Sequence, residues 1–212
     1  MTFTKAIGVG AGAIIKLIVR GLALARIHPN MLTLIGLLIN IYAAVLLAQG
    51  RFMAAALVIV GAGIFDMVDG RVARATGQVT RFGGFFDSVM DRYSDLALLM
   101  GLLVYYANIG RNFYVVLTAV VMTASVMISY TRSRSENTIP SCKVGFLERP
   151  ERIVLIIIGA LFDRMAAVLW VIAVVGNITV AHRMWHTWLV TKDLDAKEAA
   201  AASGLKDHVS QA

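Results

Sequence analysis

Apolar stretches long enough to cross a lipid bilayer recur along this chain and constrain its fold more than any other feature. A spanning helix needs roughly 20 residues to cross about 30 Å of hydrocarbon. Six stretches reach or approach this length: residues 31–48, 52–66, 85–107, 113–130, 150–162 and 165–180. The fifth is short, with Asp163 and Arg164 as the turn after it, so a five-span count is also open. Because 58% of the residues are hydrophobic and only 16% are charged, the sequence predicts an all-α, polytopic membrane protein with six transmembrane helices.

Three regions follow from this pattern. Residues 1–27 are apolar but are interrupted by Lys16 and Arg20, one helical turn apart, which favours an amphipathic helix lying in the membrane interface over a seventh span. Residues 28–190 form the six-helix membrane domain. Residues 191–212 are rich in Ala, Lys, Asp and Glu and are interpreted as a polar cytoplasmic tail.

The positions of the basic residues predict the orientation. With six spans, only Arg51, Arg111 and Arg164 of the 20 Lys and Arg residues fall on the side away from the termini. The positive-inside rule therefore places both termini and the acidic ends of the helices in the cytoplasm, in a multi-pass protein of the cell membrane. The same distribution explains the net charge of +7 without a nucleic acid as partner.

Four carboxylates lie within or beside the apolar segments. An Asp at bilayer depth costs roughly 2.5–3.5 kcal/mol, so such residues are functional candidates. Asp66 and Asp69 are three residues apart, and Asp87 and Asp91 are four apart, so each pair shares one helix face. Neighbouring antiparallel helices would bring all four to a similar depth. One interpretation is that they form ion pairs between helices with nearby arginines.

The favoured interpretation is a metal site. Clustered carboxylates repel each other unless cations intervene, and a site of oxygen ligands suits Mg²⁺, Mn²⁺ or Ca²⁺ rather than zinc. Two such ions about 3.5–4 Å apart clamp a phosphate during in-line displacement. Arg74, one turn after Gly70, could hold a second phosphate of a diphosphate.

These residues also belong to a longer pattern, Asp66-x2-Asp69-Gly70-x2-Ala73-Arg74-x8-Gly83-x3-Asp87-x3-Asp91. In all eight fixed positions it resembles the defining motif of the CDP-alcohol phosphotransferase family. The segment Pro29-Asn30-x2-Thr33 is similar to the part of that family that lines the cytidine side of its pocket. The resemblance covers about residues 27–183. It implies a six-helix membrane enzyme, usually a homodimer, that joins a CDP-activated lipid such as CDP-diacylglycerol to an alcohol and releases CMP.

The resemblance also implies residue roles. Asp66, Asp69 and Asp87 would hold one metal ion, and Asp66, Asp87 and Asp91 the other, with two Mg²⁺ expected and Mn²⁺ possible. Asp91 would in addition be the general base. The implied contacts to the CDP-lipid are Pro29, Asn30, Met31, Leu32, Thr33, Gly70, Ala73, Arg74 and Thr80.

The acceptor alcohol is predicted from a second group of residues. The segments around the end of the fourth span, the start of the fifth and the end of the sixth resemble those of phosphatidylinositol-phosphate synthases, whose acceptor is inositol 1-phosphate. Arginine suits bidentate phosphate binding. The implied phosphate ligands are Arg132, Arg149, Arg152 and Arg183. The alternative is that they are topological anchors, partly paired with Glu136, Glu148 and Glu151.

Other functions stay open at this stage. The same chemistry could use glycerol 3-phosphate, serine or inositol as acceptor. A cation transporter would explain the acids but not Gly70, Ala73, Arg74 and Gly83, and a non-catalytic scaffold would not need every metal position. Asp95, one turn after Asp91, is either a second layer of the site or a contact to a neighbouring helix.

Overall fold

The computed structural model describes residues 28–75 and 77–210, with side chains in these ranges except at 67–71, 75 and 199–210. Every regular element in the described residues is a helix, so the prediction of an all-α fold is confirmed. The predicted amphipathic helix at 1–27 lies outside the described residues. The helices are α1 (Pro29–Ala48), α2 (Phe52–Ala75), α3 (Arg81–Asn108), α4 (Asn112–Glu136), α5 (Arg149–Leu161) and α6 (Met165–Ser210).

Three of these helices are long and apolar enough to cross a membrane: α1, α4 and the part of α6 at Met165–Glu198. The apolar part of α2, Phe52–Asp66, is shorter. Helix α3 carries Asp87 and Asp91 of the motif, and α5 has only 13 residues, so the count of six spans stays a prediction. Asp163 has a positive φ of 52° between α5 and α6, where the sequence predicts a turn. Helix α6 continues through the region interpreted as a polar tail.

Local capping defines where α1 and α3 begin. His28 precedes α1, and its Nδ1 accepts a hydrogen bond of 3.2 Å from the backbone N–H of Asn30. Pro29 opens the helix, where its missing N–H costs nothing. Thr80 caps α3, because its Oγ1 accepts a 2.9 Å bond from the N–H of Gly83. These two caps hold the helix starts that border the candidate site.

The helices pack in a closed circuit. Helix α1 packs against α2 and α3, α4 joins α3 to α6, and α5 joins α2 to α6. Buried aliphatic side chains fill the interior, among them Leu47, Ile59, Leu98, Val121 and Leu169. Large apolar side chains such as Leu38, Leu57 and Val116 are exposed instead, as expected where lipid replaces water as the solvent.

The contact between α1 and α3 depends on one glycine. A Cβ built on Gly101 would overlap the backbone of Ala44, so the two helices approach as closely as their main chains allow. Small residues permit this kind of approach between membrane helices, where packing rather than the hydrophobic effect drives association. The contact holds α3, and with it Asp87 and Asp91, against α1.

Replacing Gly101 by Ala is therefore expected to destabilise the protein by about 1–3 kcal/mol, because the backbone of Ala44 cannot move aside easily. Gly61→Ala is the matched control: no atom lies within 4 Å of its built Cβ, so it should be neutral or stabilising by about 0.5–1 kcal/mol. Thermal unfolding of both variants in one detergent measures the difference. Equal stability of the two variants would contradict this packing.

Candidate active site

The acids of α2 and α3 meet at one guanidinium group. Nη2 of Arg149, the first residue of α5, lies 2.8 Å from Oδ2 of Asp66 on α2. Nη1 of the same side chain lies 2.8 Å from Oδ1 of Asp91 on α3. The two carboxylates therefore face each other across a single cation, which is the convergence that the helix spacing predicts. Asp66 and Asp91 thus form ion pairs between helices, as the alternative interpretation of the sequence predicts.

The other two motif acids are placed differently. Asp87, one turn before Asp91, lines a separate cavity between α1, α2 and α3. Asp91 lines a larger cavity bounded by α3, α4, α5 and α6. Asp69 and Gly70 lie in α2, in the stretch 67–71 where the structure describes only the backbone. Helix α3 thus presents one motif carboxylate to each cavity.

Asp66 and Asp91 supply oxygen donors of the kind that a divalent cation binds. Among the described side chains, no group of three His, Cys, Asp or Glu residues is placed to hold a metal ion, and Arg149 lies between Asp66 and Asp91. Room next to Asp66 comes from Gly36 on α1, where a Cβ would lie only 2.9 Å from Asp66 Oδ1. Carboxylate oxygens are the ligands that Mg²⁺ and Mn²⁺ prefer. A cation held by both acids would replace their bonds to Arg149.

The larger cavity, which we call the arginine cavity, has a volume of about 490 Å³. It brings together all four arginines that the sequence predicts as phosphate ligands, from three different helices. Those residues are Arg132 on α4, Arg149 and Arg152 on α5, and Arg183 on α6. Asp91, the predicted general base, lies in the same wall.

Two of these arginines are buried but differ in how their N–H groups are used. Arg183, 1% exposed, donates from Nε to the carbonyl of Val144 at 2.8 Å and from Nη1 to the carbonyl of Ile128 at 2.5 Å. It thereby ties α6 to α4 and to the loop before α5. Arg152, 3% exposed, has no hydrogen-bond partner for Nη1 in the described part of the chain. An unpaired buried donor costs roughly 1–3 kcal/mol, more when it is charged.

Two carboxylates hold the four arginines in pairs. Asp95 lies 3.3 Å from Nε of Arg149 and 2.5 Å from Nη2 of Arg152. Glu148, just before α5, lies 2.6 Å from Nη1 of Arg132 and 3.2 Å from Nη2 of Arg183. The sequence leaves Asp95 between two interpretations, and the structure shows it as a contact from α3 to α5.

The smaller cavity, which we call the α1–α3 cavity, has a volume of about 240 Å³. Most of the residues predicted to contact the CDP-lipid line it: Pro29, Asn30, Thr33, Ala73, Arg74 and Thr80. Met31 and Leu32 do not: Met31 is 55% exposed, whereas Leu32 is 1% exposed and belongs to the core. The lining also includes Gln78, Val79 and Gly84, for which the sequence offers no signal.

Gly83 explains part of the shape of the α1–α3 cavity. A Cβ at this position would lie 3.0 Å from Thr80 Oγ1 and 3.6 Å from Asn30 Oδ1. Because glycine has no Cβ, the Thr80 cap of α3 stays intact and space remains between the starts of α1 and α3. Gly83, one of the two fixed glycines of the motif, therefore keeps this cavity open.

Comparison with known proteins gives one consistent family. The sequence model for CDP-alcohol phosphatidyltransferases matches residues 26–192. The archaetidylinositol phosphate synthase of Pyrococcus horikoshii is 37% identical over 166 residues, which cover 77% of this chain and 85% of that protein. The phosphatidylinositol phosphate synthase of Mycobacteroides abscessus is 34% identical over 169 residues, which cover 76% of this chain and 77% of that protein.

Two solved structures share the fold. The phosphatidylinositol phosphate synthase of Mycobacterium tuberculosis with CDP-DAG bound superposes with a TM-score of 0.78 and 33% identity, over 83% of this chain and 94% of that chain. The same enzyme in complex with manganese and citrate gives a TM-score of 0.77 and 32% identity, over 82% and 88% of the two chains.

The position of Arg149 leads to a prediction about metal affinity. The Arg149→Gln variant should bind Mn²⁺ about tenfold more tightly or better, because it removes the repulsion between the guanidinium and the metal ion. Two unit positive charges 4 Å apart repel each other by about 1 kcal/mol even in water, and a unit charge repels a divalent ion by about twice that. Calorimetric titration of the metal-stripped protein measures the dissociation constant. Arg164→Gln, at an exposed residue in the turn before α6, is the charge-matched control. Unchanged or weaker Mn²⁺ binding in Arg149→Gln would show that this arginine does not compete with metal.

Proposed function

Because this chain belongs to the CDP-alcohol phosphatidyltransferase family, we propose that it transfers a phosphatidyl group from CDP-diacylglycerol to inositol 1-phosphate and releases CMP. It is an integral membrane enzyme of phospholipid biosynthesis. The proposed acceptor is supported by the names of its relatives, which are phosphatidylinositol and archaetidylinositol phosphate synthases. The proposed donor is supported by the similar mycobacterial structure with CDP-DAG bound.

In this proposal the α1–α3 cavity takes the nucleotide end of the donor. Asn30, Thr33 and Thr80 offer polar groups, and Arg74 supplies a guanidinium suited to the diphosphate. Gly83 leaves space between the starts of α1 and α3. Asp87 lies in the same lining, so the diphosphate would come next to the motif acids.

The motif acids would hold two Mg²⁺ ions, with Mn²⁺ as a substitute. Asp66, Asp69 and Asp87 would bind one ion, and Asp66, Asp87 and Asp91 the other. Support comes from the oxygen donors, from the space that Gly36 leaves beside Asp66, and from the manganese complex of a similar enzyme. When bound, such ions neutralise charge on the diphosphate and polarise the phosphorus that is attacked.

The observation that carries the acceptor proposal is the gathering of Arg132, Arg149, Arg152 and Arg183 around the arginine cavity. An anionic group with several oxygens would suit these donors, and the Nη atoms of Arg149 would be free to join them if Asp66 and Asp91 held metal instead. Phosphate is recognised by arginine in this manner. The phosphate of inositol 1-phosphate would therefore sit among the four arginines, with its ring directed toward Asp91.

Asp91 lies where the two substrates would meet. Its carboxylate takes the proton of the attacking hydroxyl group, and the hydroxyl oxygen forms a new bond to the phosphatidyl phosphorus. The bond between that phosphorus and the bridging oxygen of CMP breaks, and CMP leaves with the electron pair. Asp91 lines the arginine cavity, which places its carboxylate to reach the hydroxyl group of the acceptor.

The membrane arrangement is part of the proposal. Six spans, an interfacial helix at 1–27 and a polar tail at 191–212 would place both termini and the active site on the cytoplasmic side of the cell membrane. A homodimer is proposed from the family alone.

A panel of acceptors tests the function. Purified protein with CDP-diacylglycerol and Mg²⁺ should release CMP with inositol 1-phosphate, and free inositol should need at least a tenfold higher KM, since a charge-assisted hydrogen bond contributes about 1.5–3 kcal/mol. Removal of Mg²⁺ by a chelator and the Asp91→Asn variant are the inactive controls.

The other acceptors distinguish a wrong acceptor from a wrong reaction. Equal use of inositol and inositol 1-phosphate would contradict the phosphate site. CMP release with glycerol 3-phosphate or serine alone would replace the acceptor while keeping the chemistry. Absence of CMP with every acceptor, in folded protein, would contradict the transferase function.

A further inference from the structure

The four arginines of the arginine cavity are held by two carboxylates that the metal site does not use. Asp95 bridges Arg149 and Arg152, and Glu148 bridges Arg132 and Arg183. Asp95 lies on α3 with 7% of its side chain exposed. Glu148 lies at the start of α5 with 44% exposed. Each carboxylate therefore joins guanidinium groups that would otherwise repel each other.

Asp95 differs from the other partners of Arg149. Asp66 and Asp91 are motif acids, and their bonds to Arg149 would be given up to a bound cation. Of the described carboxylates that contact Arg149, Asp95 alone lies outside the motif. It bonds Nε and leaves both Nη atoms to the other partners. With metal bound, Asp95 would keep Arg149 in the cavity wall while the two Nη atoms face the acceptor.

We infer that Asp95 and Glu148 are positioning residues that orient the four cavity arginines toward the phosphate of the acceptor. This inference rests on the proposed function. The physical reason is the geometry of guanidinium, which binds phosphate well only when its planar set of N–H groups is aimed correctly. A long Arg side chain is mobile when free, so a fixed carboxylate behind it removes the entropy cost of ordering it at each binding event.

The Asp95→Asn variant tests the inference by the direction in which the affinity for the acceptor changes. Removing a negative charge beside an anion site should tighten anion binding if long-range electrostatics alone decides. Positioning predicts the opposite, because Arg149 and Arg152 lose their common partner and repel each other. The expected result is a rise of about tenfold in the KM for inositol 1-phosphate, the scale of one charge-assisted hydrogen bond. The KM for CDP-diacylglycerol should stay within about twofold.

Three further variants complete the design. Glu148→Gln should raise the same KM, and because this residue is half-exposed it serves where Asp95→Asn fails to fold. Asp95→Glu keeps the carboxylate and should recover part of the lost affinity. Asp193→Asn, which removes an exposed carboxylate paired with Lys197 on α6, is the control with unchanged constants.

Binding is measured separately from turnover, by calorimetric titration of inositol 1-phosphate into the Mn²⁺-loaded protein. Weaker binding in Asp95→Asn and Glu148→Gln supports positioning even where the wild type releases no CMP, an outcome that would contradict only the proposed function. Equal or tighter binding in both variants, with an active wild type, overturns the inference and leaves the function standing. A wild type that neither binds inositol 1-phosphate nor releases CMP would overturn both.

Discussion

The shared guanidinium of Arg149 is the interaction on which the rest of the site depends. Acids within apolar helices need a counter-charge, and here Asp66 from α2 and Asp91 and Asp95 from α3 obtain it from the start of α5. The same contact joins three helices of the circuit. The balance is uneven, because the guanidinium of Arg149 faces three carboxylates, one of which, Asp95, is also paired with Arg152. An unequal cluster of this kind is suited to accept additional positive charge.

Helix α3 organises the two cavities around that cluster. Asp87 and Asp91 are one turn apart, yet the first lines the α1–α3 cavity and the second the arginine cavity. The cap at Thr80 defines where this helix begins, and the close contact at Gly101 holds its second half against α1. Two substrates bound in the two cavities would thus meet along a single turn of helix.

Much of the site follows from sequence spacing, because spacing determines which residues share a helix face. Pro29, Asn30 and Thr33 lie on the face that lines the α1–α3 cavity, whereas Met31 and Leu32 lie on other faces of the same helix, so their contact with the CDP-lipid stays a prediction. Contacts across the fold could not be predicted. Arg149 and Asp66 are 83 residues apart in the sequence, and no local pattern encodes which carboxylate a long side chain reaches.

If the motif acids bind metal as proposed, the metal takes the places that the Nη atoms of Arg149 hold at Asp66 and Asp91. Crystals of the protein grown with Mn²⁺ and measured at the manganese absorption edge test it most directly. Anomalous peaks are expected within bonding distance of Asp66, Asp87 and Asp91, with the Nη atoms of Arg149 turned into the arginine cavity and Nε still on Asp95. No peak at these acids, with Arg149 still bonded to Asp66 and Asp91 at saturating Mn²⁺, would contradict it.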